Sequence, residues 1–175
     1  MLFRSVTFGR GKPYLQGNRA RVPLPESGLS EDRLAALRGT SDTFALRTRF
    51  HDEGLHRTSR PHAGTAQQVY DAVEEARIAC IGSYLMKGVG DNLQANLAEH
   101  CLNNSYQDIQ NQSEAPLGEA LGMLIREKVT GRKPPHGGDV VLDLWRDHLE
   151  YSLGENLEGL DDLMFDQEAF AQLAQ

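Results

Sequence analysis

The run His51-Asp-Glu-Gly-Leu-His56 collects the side chains best suited to hold a metal ion or move a proton. A zinc-protease helix needs histidines four apart, so that both share one face, and a glutamate directly after the first to act as general base. Here the histidines are five apart, roughly 140° around a helix of 3.6 residues per turn. A regular helix does not point both at one ion. Asp52 and His56, four apart, could supply two ligands, and His62 in the following polar loop a third. A hydrolytic metal centre built on His51, Asp52, Glu53 and His56 is therefore one functional reading. The other is that these side chains are hydrogen-bonded parts of the structure.

The elements around this run must position it. A long apolar helix follows, from about Thr65 to Lys87, in which Val69, Val73, Ala76, Cys80 and Tyr84 recur at three- and four-residue spacing. Ile78, Ile81 and Leu85 add a second stripe, so the helix belongs inside a bundle with neighbours on both flanks. Thr65 caps its start and Gly88 supplies its stop. Upstream, Ser30 caps a helix bearing Leu34 and Leu37, Gly39 ends it, and Ser41 or Asp42 starts the next, with Phe44, Leu46 and Phe50. Arg47 and Arg49 are expected to project outward from that segment.

Downstream, Gly88 to Gly90 forms a corner and Asp91 caps a helix with Leu93, Leu97 and Cys101 at four-residue spacing, packed as a hairpin on the long helix. His100 flanks its apolar face as a structural histidine. Residues 103–113 are a polar loop. Ser113 opens a helix with Leu117, Leu121, Leu124 and Ile125 inward, closed by Thr130 and Gly131. Asp139 caps another with Val141, Leu144, Trp145, His148 and Leu149 inward. Asp166 caps a last short helix with Phe170 and Leu173. At the other end, Phe3 to Phe8 and Arg19 to Leu24 read as two strands of a hairpin, Val6 and Phe8 half-buried. The expected fold is mainly α: a helical bundle (26–175) with a small N-terminal β-hairpin (1–25) packed on it, one globular unit.

The basic turn between the strands contains Gly-Arg-Gly-Lys, but a phosphate-binding loop would need glycine where Val6 stands and Ser or Thr at Pro13. Arg10, Lys12, Arg19 and Arg21 remain, with Arg47 and Arg49, as cations for an acidic partner. Charge is divided along the chain. The first 60 residues carry a net of plus five and the remainder minus twelve, which makes the overall minus seven; seven carboxylates lie between Glu150 and Glu168 with no cation among them. That division, with little aromatic interleaving, argues against nucleic-acid binding through Arg4, Arg10, Lys12, Arg19 and Arg21. Two cysteines on apolar faces, no run of signal-peptide length and no apolar stretch of roughly 20 residues point to a soluble cytoplasmic protein with reduced thiols.

Several separated blocks, in order, resemble one family. ALRTRFHDEGLH (45–56), YDAVEEARIACIG (70–82) and MKGVGDNL (86–93), with VTFGRGKP (6–13), NRARVPLP (18–25), APLGEALGMLIREKVTGRKPP (115–135) and DLWR (143–146), are similar to the N-terminal region of CobT, the T subunit of aerobic cobaltochelatase in the cobalamin pathway. The resemblance spans nearly the whole chain. It implies a subunit that works with an AAA+ ATPase subunit, CobS, in a hetero-oligomer acting on the large subunit, CobN, which inserts cobalt into hydrogenobyrinic acid a,c-diamide at the cost of ATP. Family members continue into a von Willebrand factor A domain whose adhesion-type metal site needs Asp-x-Ser-x-Ser, and this sequence has no such run. The resemblance thus implies an N-terminal assembly domain with no catalytic residue or cofactor of its own. ATP, magnesium and cobalt would enter through the partners, and neither nucleic acid nor membrane would be bound.

Overall fold

The computed structural model describes residues 5–17, 19–25, 27–62 and 64–172. Phe3, Arg4 and Leu173, which figure in the sequence reading, lie outside them. The domain is mainly α-helical with a small sheet at its N-terminal end, as the sequence predicts.

The sheet departs from the simple hairpin in its connections. Strands β1 (Ser5–Gly9), β2 (Tyr14–Gln16) and β3 (Arg19–Pro23) lie in the order β1-β3-β2. β2 and β3 form the tight antiparallel hairpin, while β1 joins β3 in parallel, with Val6 opposite Ala20 and Phe8 opposite Val22. The central strand β3 packs on the first helix and buries Ala20 and Val22. Val6 and Phe8, one strand further out, are 47% and 61% exposed rather than half-buried.

Helix α1 (Glu31–Phe50) starts where Ser30 Oγ accepts from the Arg33 amide at 3.3 Å, with Glu31 and Asp32 in its first turn and Arg47 and Arg49 in its last. These charges oppose the helix dipole at both ends. The helix runs straight through Gly39, which the sequence reading takes as a stop. A Cβ there would lie 2.7 Å from Asn96 Cβ and against the Asn92 carbonyl, so the glycine serves close approach of two helices rather than termination.

The partner helix is α4 (Lys87–Asn103), which runs antiparallel to α1 and bonds it by Asn96 Nδ2 donating to the Ala36 carbonyl and Thr40 Oγ1, and Asn92 Nδ2 to Asp42. Between them in sequence come α2 (Glu53–Ser59) and the long α3 (Gly64–Leu85). The expected corner at Gly88–Gly90 is instead inside α4. The turn is one extended residue, Met86, and Gly90 is needed within the helix because it presses on Ser83.

α3 is the central member, with neighbours on both sides as its two stripes require. Val73, Ala76, Cys80 and Ile81 join the main core with α5 (Leu117–Thr130), α6 (Gly138–Leu153) and the tail helices α7 (Leu160–Leu163) and α8 (Gln167–Ala171). Ile78 and Ala79 meet Leu46 and Leu93 in a second cluster toward α1 and α4. Tyr84, at the end of the stripe, is 72% exposed and stacks edge-on against Phe165. α5 begins at Leu117, after Pro116, and ends on Gly131 at φ +68°, the left-handed residue expected there. In α6 the buried positions are Gly138, Val141, Leu142 and Leu149; His148 is exposed, and Trp145, half-buried, donates its indole N–H to the Ala115 carbonyl at 2.9 Å. Among the described residues no helix is long and apolar enough to cross a membrane.

Candidate functional site

The His51–His56 run does not form one helix. His51 is the C-cap of α1 and Asp52 the N-cap of α2, its carboxylate accepting from the Leu55 amide at 2.9 Å. Those backbone donors hold the Asp52 carboxyl below its usual range. The break brings the two imidazoles edge to face, 4.9 Å between centroids. Their nitrogens nevertheless engage different carboxylates on α3: His51 Nδ1 lies 2.7 Å from Glu74 Oε1, and His56 Nε2 lies 2.9 Å from Asp71 Oδ1. Glu53, the general base of the metal reading, lies 3.2 Å from His51 Nε2 at the surface.

The chemistry of this knot is internal pairing. Arg77, 1% exposed, donates to Glu74 through Nε at 2.7 Å and Nη2 at 2.8 Å, and also to the backbone carbonyls of Met164 and Phe50 and to Gln167 Oε1. Burial pushes the Glu74 carboxyl up, but the hydrogen bonds from Arg77 and His51 outweigh it and leave the group lowered. Asp71 is lowered by Arg60, which bonds both its oxygens, with His56 assisting. Gln167 completes the knot by accepting from the Asp52 amide and donating to its carbonyl. The reading of His51, Asp52, Glu53 and His56 as a hydrolytic metal centre is corrected here: among the described residues no group of three or more His, Cys, Asp or Glu could hold an ion.

The sequence reading missed Glu74 and Arg77. The signal was a Glu-x-x-Arg pair set among apolar positions of the most buried helix, where an unpaired charge is too costly to leave. Cys80 and Cys101 are free and fully buried, and burial pushes their thiols up to about 12 and about 11, which keeps them unreactive.

A second place gathers polar groups without closing them off. Between α1, α3, α4 and α5, with Leu15 of β2 at its rim, lies a cleft of about 390 Å³. Its floor is small and apolar because Gly118 and Gly122 of α5 face Ala72 and Ala76 of α3 with no side chain between. Arg47, Glu75, His100, Glu119 and Arg126 reach into it. His100 Nε2 lies 3.1 Å from Glu119 Oε1, and that hydrogen bond raises its pKa against the effect of burial. Glu75, its side chain 71% exposed, has Arg47 4.0 Å away. Burial lowers the pKa of Arg126.

The cations named from the sequence are divided among these regions. Arg47 lines the cleft instead of projecting freely, whereas Arg49 is exposed beside the Phe50 ring. Arg10 and Lys12 are exposed in the loop between β1 and β2, and Arg19 is exposed at the start of β3. Arg21 is held: its Nη2 donates to the Lys12 carbonyl at 2.8 Å and its guanidinium lies over Tyr14.

The fold and its two polar centres define a helical domain with one closed ionic knot and one open cleft. A family model described as cobalamin biosynthesis protein CobT matches residues 4–175, and the chain belongs to that family. No solved structure matches it.

Proposed function

We propose that the chain is an assembly domain of an aerobic cobaltochelatase, docking on an AAA+ ATPase subunit (CobS) and the large chelatase subunit (CobN) during ATP-dependent cobalt insertion into hydrogenobyrinic acid a,c-diamide. ATP and magnesium act on the partners in this reading, and cobalt is cargo. The observation that carries it is the family match across residues 4–175. The architecture supports it, because the one motif with metal-ligating residue types holds helices together. The exposed cations Arg10 and Lys12 at one end of the sheet and Arg19 at the other offer an acidic partner basic contacts, and Arg49 a further one.

Co-purification of the protein with each partner tests the proposal. Retention by the ATPase subunit or the large subunit, weakened by combined R10E, K12E and R19E changes and by raised salt, is the expected result. Retention by neither overturns it.

A further inference from the structure

The cleft between α1, α3, α4 and α5 holds a half-buried cation, Arg126. Among the described residues the Arg126 guanidinium has no hydrogen-bond or ion-pair partner, although burial already disfavours its charge. It is half-buried and lines the cleft, so a bound molecule reaches it. An arginine left this way inside protein is stabilised by whatever anion arrives.

The surroundings select the kind of anion. Glu119 is engaged by His100 and Glu75 lies 4.0 Å from Arg47, so both carboxylates already have a partner and Arg126 is the cation left over among the described residues. The same two glutamates repel a multiply charged anion such as a phosphate dianion. Most of the remaining lining, including Ala72, Ala76, Leu97 and Met123, is apolar; Thr43 and Asn96 also line it, and the Asn96 amide is already spent on α1. A volume of about 390 Å³ falls in the small-molecule range of roughly 300–1,000 Å³.

We propose that this cleft binds a compact organic monocarboxylate, its carboxylate on Arg126 and its apolar body over the Gly122 floor between Ala76 and Leu97. The assignment stands apart from the assembly role and does not depend on it.

The test uses 4-phenylbutyrate as the probe and its amide, 4-phenylbutanamide, as the uncharged isostere, each titrated into the whole protein and followed by NMR. Saturable binding of the acid, with the amide weaker by about tenfold or more, is expected for a charge-assisted contact. R126Q should abolish that preference and R126K retain part of it, with melting temperatures confirming that both are folded. Intermolecular NOEs from the phenyl protons to the Leu97 methyls of the unaltered protein locate the probe even if R126Q does not fold. Equal binding of acid and amide, no saturable binding of the acid, no NOE to Leu97, or a folded R126Q that still prefers the acid would each overturn the proposal.

Discussion

Arg77 and Arg126 sit on neighbouring helices of one core and have opposite fates. Arg77 is enclosed, and its donors are taken up by Glu74, two backbone carbonyls and Gln167. Arg126 looks into an open cleft with its fork unmatched among the described residues. The difference teaches how to separate an arginine that holds a fold from one that awaits a ligand. Burial alone does not decide it; the question is whether the protein itself satisfies the group.

Breaking the knot should have the largest effect. Arg77→Met leaves Glu74 buried without its main partner and frees the Met164 carbonyl, and is expected to cost about 3–5 kcal/mol in urea unfolding. Adding Glu74→Leu should restore part of that loss, because no uncompensated charge then remains; a double variant no better than the single one would mean that the tail contacts dominate.

Acid and base should separate the two centres next. Glu74 and Asp71 are held below their ordinary 4.5 and 3.8. Their contribution is present above those values and is lost as pH falls through the lower folded ones. His100 is raised above its ordinary 6.5. Its contribution is present below 6.5 and is lost as pH rises through the folded value. Urea midpoints should decline toward acid and again just above neutral pH, and His100→Gln should remove only the decline near neutral pH.

Smaller changes sharpen the contrast. Gly122→Ala adds a Cβ whose nearest neighbour, the Ala72 carbonyl oxygen, is 3.5 Å away, an ordinary contact, and replaces a helical glycine. A gain of about 0.5–1 kcal/mol is expected, with weaker phenylbutyrate binding as the floor fills. Arg126→Met should change stability by no more than about 0.5 kcal/mol, the reverse of Arg77→Met, and thermal melts of the two variants side by side would expose any error in the comparison.

Much of this architecture was readable from local chemistry. Ser30 and Asp166 are N-caps as their side chains suggest, Gly131 closes α5, and the double apolar stripe of α3 correctly demanded neighbours on both sides. The misreadings arose where a residue answers to something far along the chain. Gly39 looks like a stop until Asn92 and Asn96 are placed against it, and Gly90 like a hinge until it presses on Ser83. Met86, the true corner, has no turn signature. The knot was hidden because Arg77 finds its carbonyl partners 27 and 87 residues away. The cleft was hidden because Leu117, Leu121, Leu124 and Ile125 account for the core side of α5, leaving Glu119, Gly122 and Arg126 as apparent surface.

The reach of Gln167 back to Asp52, 115 residues earlier, has a consequence for synthesis. As the polypeptide emerges from the ribosome, α3 arrives with Arg77 and Glu74 still hydrated, since Met164 and Gln167 have yet to be translated. The innermost ion pair is sealed by nearly the last segment described, so helices made early wait for a late one to lock them.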